Sequence, residues 1–304
     1  MQDFDDWTKS VQAAMEQALA TYLPPVEQVP ARLHEAMQYA VLDGGKRVRP
    51  LLVFAAGELF DADAGALSRA AAAVEMIHAY SLVHDDMPCM DDDALRRGKA
   101  TVHVRYDEAT ALLVGDALQA QAFLVLSETD SLSDPGRLLA MMRLLAHAAG
   151  SGGMCGGQAI DLASVGLTLS LAQLERMHQL KTGALLRAAV LLGGLCGKTL
   201  DQDETAALEA YADAIGLAFQ VVDDVLDATA DSATLGKTAG KDAADNKPTY
   251  VSILGLEASR ALAEKLRDDA HRALARFGTE FGTGFGNKAQ RLRELADLIV
   301  QRKA

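Results

Sequence analysis

Apolar residues recur at helical spacing over four long stretches of the chain, 67–83, 109–126, 171–192 and 206–226. No proline interrupts any of them, and the seven prolines fall mostly between such stretches. Breaks are predicted at 129–135, 193–200 and 230–248, where turn-forming residues gather. Thr199 and Asp201 stand where a helix cap is needed before the last of the four stretches. Residues 277–286 are glycine-rich and read as a connection before a terminal helix. No long alternation of β-branched and polar residues occurs, so no sheet is expected. The pattern predicts one all-α domain covering residues 1–304, with roughly ten helices.

Composition agrees with this pattern and narrows the partners. Half of the 304 residues are hydrophobic and 5% are aromatic, a mixture that favours helices. The formal charge of −13 argues against a nucleic-acid partner and against an anionic membrane surface. The start, Met1 to Trp7, is acidic and lacks the apolar run of a secretory signal. The most apolar stretch, 184–196, is interrupted by Arg187 and too short to span a bilayer, so no stable membrane insertion is expected. Cys89, Cys155 and Cys196 form no CxxC pair, which fits a reduced, cytoplasmic protein.

Two aspartate clusters change the picture from a helical protein to a catalytic one. The first contains Asp85, Asp86 and Asp91, with Arg96 and Arg97 just beyond; the second contains Asp223, Asp224 and Asp227, with Lys237, Lys241 and Lys247 downstream. Clustered carboxylates repel one another unless a cation neutralises them, and the nearby basic residues need an anion. A diphosphate held through Mg²⁺ meets both needs, because carboxylate and phosphate oxygens both suit that hard cation. Asp223 and Asp227 are four apart and share a helix face. Both clusters end apolar helical stretches, where the negative pole of the helix makes carboxylates unfavourable without compensation. Pro88 disturbs the first helix and can bring Asp91 round toward Asp85 and Asp86. The segment Gly44 to Pro50 adds two glycines and the cations Lys46, Arg47 and Arg49, a turn suited to phosphate oxygens but also common on solvated surfaces. His78, seven residues before Asp85, reads by itself as a core histidine.

Together these segments resemble the trans-isoprenyl diphosphate synthases, in the form found in bacterial farnesyl diphosphate synthases. The matching segments are GGKRVRP (44–50), EMIHAYSLVHDDMPCMDDDALRRGKATVH (75–103), GDALQ (115–119), GGQAIDL (156–162), HQLKTGALLRAAV (178–190), GLAFQVVDDVLD (216–227) and GKTAGKDAADNKPTY (236–250). They cover the chain from about residue 40 to 250. The resemblance implies an antiparallel helical bundle around a deep cavity, usually a homodimer. It implies head-to-tail joining of isopentenyl diphosphate to an allylic diphosphate. Asp85, Asp86 and Asp91 would bind two Mg²⁺ ions; Asp223, helped by Asp224 and Asp227, would bind a third, with Mn²⁺ as a substitute metal. Arg96, Lys181 and Lys237 would hold the allylic diphosphate. Lys46, Arg49, His78 and Arg97 would hold the isopentenyl diphosphate. Thr182 and Gln220 would turn oxygen dipoles to the developing carbocation, and a loop such as 236–242 would close the mouth.

Product length follows from helix geometry. Ser81 and Tyr80 lie four and five residues before Asp85, about one turn (roughly 6–7 Å) below the metal-held diphosphate. Tyr80 would form a floor at fifteen carbons, which predicts farnesyl diphosphate as product. The rival products are geranylgeranyl and geranyl diphosphate. A terpene cyclase would not need the second set of cations. A di-iron bundle would use the Glu-x-x-His pairs Glu75/His78 and Glu175/His178, but it leaves both aspartate clusters unexplained.

Overall fold

The computed structural model describes residues 3–128, 134–229, 248–278 and 288–302. Side chains of the capping type set where many helices begin. Asp63, Asp107 and Asp134 accept backbone N–H groups from the first turns of the helices that follow them. Asp201 and Glu204 satisfy each other's backbone N–H groups at 2.7 and 2.9 Å, closing the cap expected around residue 201. The resulting helices are α1 (Phe4–Tyr22), α2 (Ala31–Val41), α3 (Val48–Leu59), α4 (Ala64–Asp85), α5 (Val102–Arg105), α6 (Glu108–Ser127) and α7 (Pro135–Ala149). They continue with α8 (Met154–Ala163), α9 (Leu171–His178), α10 (Ala184–Gly197), α11 (Gln202–Thr229), α12 (Tyr250–Leu254), α13 (Leu256–Ala273) and α14 (Gln290–Gln301).

All four helices expected from apolar spacing are present. The third is modified: α9 and α10 are joined without a break by a π-helical segment, Gln179–Gly183. The added helices are mostly short, and a period of 3.6 residues cannot announce itself in one or two turns. One departure from the all-helical expectation is a two-residue hairpin, Leu95–Arg96 against Lys99–Ala100. Its turn is Arg97–Gly98, both with positive φ (53° and 76°), the conformation that matches strand twist in a two-residue loop. No alternating pattern precedes it, because the ribbon is too short to have a face.

The chain folds as an all-α, antiparallel helical bundle. Helix α4 sits at its centre and is buried almost all round, from Ala66 to Val83. Its small residues at 70–73 let α3, α6 and α10 pack closely about it. Helix α11 packs chiefly against α13 and presents its other side to α10 and the π segment. One continuous core runs from Trp7 in α1 to Ile299 in α14. Two helical stretches, Glu108–Ser127 and Leu171–Gly197, are long and apolar enough to cross a membrane by length and composition. The second is longer than the stretch apparent in the sequence, since α9 and the π segment extend it. It is mostly buried in the bundle and carries Lys181 and Arg187.

Candidate active site

The first aspartate cluster closes the C-terminal end of α4, and the second lies inside α11, before its end at Thr229. Asp85 is the last residue of α4, and the chain then turns back on itself through Pro88. The Asp91 N–H donates to the Asp85 carbonyl (2.8 Å) and the Asp93 N–H to the Asp86 carbonyl (3.2 Å), so Asp91 does come round to Asp85 as the proline suggests. Burial pushes the Asp85 carboxyl up to about 6; Asp91 and Asp86 add to the rise, while Lys181 and Arg96 oppose it. Asp86 is 3% exposed, and Arg96 from the hairpin grips it, with Nε 2.8 Å from both carboxylate oxygens. Even so, burial leaves Asp86 above the ordinary aspartate value. For both carboxylates burial outweighs the opposing cations.

The three cations of the 46–49 turn have different fates. Arg47 takes a left-handed backbone (φ 52°) and turns inward. It bonds Glu75 (2.8 Å), Glu16 (2.6 Å) and the Val41 carbonyl (2.7 Å), so it is a structural pin. Among the described residues Arg49 Nε is buried without a hydrogen bond, and burial lowers the guanidinium to about 10, with Arg97 adding and Glu75 and Asp223 opposing. His78 lies among these cations. Burial, then Arg49, Arg97, Arg96 and Arg47, hold its imidazole well below the ordinary value, so it is neutral and is no ordinary core histidine. Arg97 lies across the Gly44–Gly45 backbone; a Cβ on Gly45 would fall 2.6 Å from its guanidinium, and Gly45 also has φ of 87°. The glycine pair thus makes room for a cation. Lys46 is exposed and feels both Arg302 and Asp223. The four residues assigned by resemblance to the second diphosphate therefore surround one region.

The π segment brings Lys181 and Thr182 to the same end of the bundle. Gly157 in α8 allows it: a Cβ there would lie 2.1 Å from the Lys181 backbone nitrogen. Such single-turn π insertions often mark functional positions. Lys181 pairs with Asp161 of α8, a residue that sequence reasoning passed over although it stands inside GGQAIDL. Thr182 Oγ1 donates to Gln220 Oε1 at 2.6 Å, tying the π segment to α11. On α11, Asp223 is partly exposed and pairs with Arg302, whose guanidinium also donates to the Phe219 carbonyl (2.8 Å) and lies 3.9 Å from the Phe219 ring centre. A lone arginine near the C-terminus gives no sequence signal for this contact. Asp224 is buried and accepts the Tyr250 N–H at 2.7 Å. Asp227 stands one turn further along the Asp223 face. Lys237, Lys241, Lys247 and the loop at 236–242 lie outside the described residues.

Tyr80 is 7% exposed, one turn below Asp85, and meets the His84 ring edge-on at 5.8 Å between centres. Gln119 of α6 and Cys155 of α8 lie beside its hydroxyl. The Ser81 hydroxyl is turned back to the His78 carbonyl (2.9 Å). The di-iron reading fails: Glu75 is committed to Arg47, His178 stacks on Tyr250, and among the described residues no three metal-type side chains converge.

A polyprenyl synthetase family model matches residues 30–279, most of the chain. The chain belongs to the polyprenyl synthetase family. It is 47% identical over 302 residues to the farnesyl diphosphate synthase of Escherichia coli, covering 99% of each protein. Among solved structures it is similar to an FPP/GFPP synthase from Zymomonas mobilis, with TM-score 0.86 and 43% identity over 98% of each chain. It is also similar to a Helicobacter pylori geranyltransferase complexed with magnesium and isoprenyl diphosphate, with TM-score 0.85 and 31% identity over 99% of each. The chain is thus a prenyltransferase of this family, with the isoprenoid synthase type of helical bundle.

Proposed function

We propose that this protein condenses isopentenyl diphosphate with dimethylallyl or geranyl diphosphate, head to tail, to give (2E,6E)-farnesyl diphosphate and diphosphate. The observation that carries the reading is the separation of the site's cations into two groups. Arg96 and Lys181 accompany the carboxylates of Asp85, Asp86 and Asp91. Arg49 and Arg97, with the neutral His78 beside them, form a second group that Arg96 borders, and Lys46 stands beside Asp223. Two groups serve two diphosphates, whereas a cyclase would need one.

The carboxylates suit Mg²⁺. They are hard oxygen donors, and burial, with Asp91 and Asp86 nearby, disfavours the charge on Asp85, a cost that a bound cation would offset. Mg²⁺ keeps waters and shares its ligands with substrate phosphates, so it does not require a dedicated cage of protein ligands. Asp85, Asp86 and Asp91 would hold it at one helix end and Asp223 at the other, with Mn²⁺ as a substitute. When bound, the metal supplies Lewis-acid stabilisation of the diphosphate as it leaves.

The chain's own residues do the rest. Arg96 and Lys181, with Lys237, orient the allylic diphosphate and stabilise the charge that grows on it as the C1–O bond breaks. Thr182, having donated its proton to Gln220, turns its remaining lone pairs to the cation at C1. Arg49, Arg97, Lys46 and the single N–H of neutral His78 fix isopentenyl diphosphate so that its double bond attacks C1. The apolar residues of α4 exclude water that would quench the carbocation. The closing proton passes to the departing diphosphate. Replacing Arg49 with Gln should raise KM for isopentenyl diphosphate by about tenfold or more, as loss of a charged hydrogen bond implies, and leave KM for the allylic substrate nearly unchanged. Equal effects on both would contradict the two-site reading.

Tyr80 is the residue on which the fifteen-carbon product rests. Tyr80→Ala should admit products longer than farnesyl diphosphate, read by sizing the dephosphorylated alcohols; an unchanged profile would remove the floor. The alternative products, geranylgeranyl or geranyl diphosphate, differ by cavity depth alone, and the Zymomonas relative already spans two lengths by its name. The same reading takes residues 1–304 as one domain, places the protein in the cytoplasm and makes it a homodimer. The exposed α6 leucines Leu112 (48%), Leu113 (54%) and Leu124 (50%) support that association, which light scattering measures directly.

A further inference from the structure

Asp223 and Asp224 are neighbours in sequence but point about 100° apart around α11, and the structure treats them differently. Asp223 is partly exposed and faces the cations Arg302, Lys46 and Arg49. Asp224 is 7% exposed and points the other way, where its Oδ2 accepts the backbone N–H of Tyr250. Tyr250 opens α12, the helix that follows residues 230–247 in the chain. Its amide is one of the first-turn donors that have no partner within the helix. The turn before it is fixed by a reciprocal cap, in which Thr249 Oγ1 accepts the Ser252 N–H and Ser252 Oγ accepts the Thr249 N–H.

The Tyr250 side chain is fully buried and lies flat on His178, with ring centres 5.6 Å apart and planes 20° from parallel. Leu174, Met177, Val221, Val222 and Ala263 pack around the pair. His178 is the residue immediately before the π segment, so its ring position bears on where Lys181 and Thr182 sit. Among the described residues neither imidazole nitrogen of His178 has a hydrogen-bond partner, nor does the Tyr250 hydroxyl; the two rings meet by stacking and apolar packing. A chain of contacts therefore runs from the Asp224 carboxylate through the Tyr250 amide and ring to His178, and on to the segment carrying Lys181.

We propose that Asp224 is a positioning residue and not a metal ligand: it anchors Tyr250, and the Tyr250–His178 stack sets the Lys181–Thr182 segment against Asp223. This rests on the reading of Asp223 as a metal-binding carboxylate, and it departs from the helping role in metal binding that resemblance gives Asp224. Asparagine in place of Asp224 would keep an oxygen for the Tyr250 N–H but would be a far poorer metal ligand; alanine would keep neither.

The test compares the full-length wild type with Asp223→Asn, Asp224→Asn and Asp224→Ala. Mn²⁺ binding is titrated with inorganic diphosphate present, followed by electron paramagnetic resonance, and hydrogen exchange is measured at the Tyr250 amide. Asp224→Asn should bind Mn²⁺ within about twofold of wild type and retain much of the Tyr250 protection, since a neutral acceptor keeps about half the strength of a charged one. Asp224→Ala should lose that protection and lower kcat. Asp223→Asn should weaken Mn²⁺ binding by more than about tenfold, the order seen for mere supporting partners, with Tyr250 protection intact. The proposal is overturned if Asp224→Asn weakens Mn²⁺ binding as much as Asp223→Asn, or if Asp224→Ala leaves Tyr250 protection unchanged. Wild-type Mn²⁺ binding by Asp223→Asn would instead sink the metal reading of Asp223, while Tyr250 exchange would still decide the anchor.

Discussion

Asp85→Asn is expected to lower kcat by about a thousandfold while leaving the fold at least as stable as the wild type. The activity loss follows from removing a carboxylate at the point where, on the proposed function, the allylic diphosphate and its metal would be held. The stability gain follows from the direction of its pKa shift. Asp85 titrates at about 6 in the fold against 3.8 for the free side chain, because burial and neighbouring carboxylates disfavour its charge. The native state therefore binds more protons than the unfolded chain between these values, and stability falls as pH rises through that window. Above it, the ionised group costs about 2–3 kcal/mol. Asparagine relieves that cost without stranding a cation, since Arg96 keeps Asp86 and Lys181 keeps Asp161. A variant that unfolds earlier than the wild type at neutral pH, or that retains activity within about tenfold, would contradict this view of the site.

The largest loss of stability is expected for Glu75→Ala. Arg47 and Glu75 form a buried pair with side chains 3% and 4% exposed, and Glu16, more open, completes the cluster. Through these bonds and the Val41 carbonyl, Arg47 ties together α1, the end of α2, the start of α3 and α4. Removing Glu75 leaves a buried guanidinium without its one buried counter-charge among the described residues, which costs about 3–5 kcal/mol. In a chain of this size that is a fall in melting temperature of roughly 5–8 °C. Replacing both partners with leucine should recover much of the loss, because the desolvation of two charges is then avoided as well. The double variant thus separates the cost of a stranded charge from the worth of the pair. If Glu75→Ala and the double variant melt alike, the pair is not the pin described here.

What the sequence could and could not announce follows from the range of the interactions involved. Helices α4, α6 and α11 are legible because apolar spacing is a local signal repeated over many turns, and the cap at Asp201 because it needs a partner three residues away. The return of Asp91 to Asp85 is legible for the same reason, through Pro88. The π segment is not: 171–192 reads as uninterrupted helix, and the extra residue is accommodated by a contact with Gly157 that is distant in sequence. The roles of Arg47 and Arg49 cannot be told apart in a run of cations, since a single left-handed residue sends one inward to Glu75. The hairpin that delivers Arg96 to Asp86 is too short to leave a pattern, and Arg302 reaches Asp223 across 79 residues. Resemblance recovered the family, but the division of labour among these residues required the packing.

The central claim is tested most directly by incubating the purified protein with Mg²⁺, labelled isopentenyl diphosphate and either dimethylallyl or geranyl diphosphate, then sizing the dephosphorylated products. Farnesol from both starters, abolished by EDTA, is the predicted result. Geranylgeraniol would keep the reaction and overturn the Tyr80 floor, and no incorporation from either starter would contradict the account.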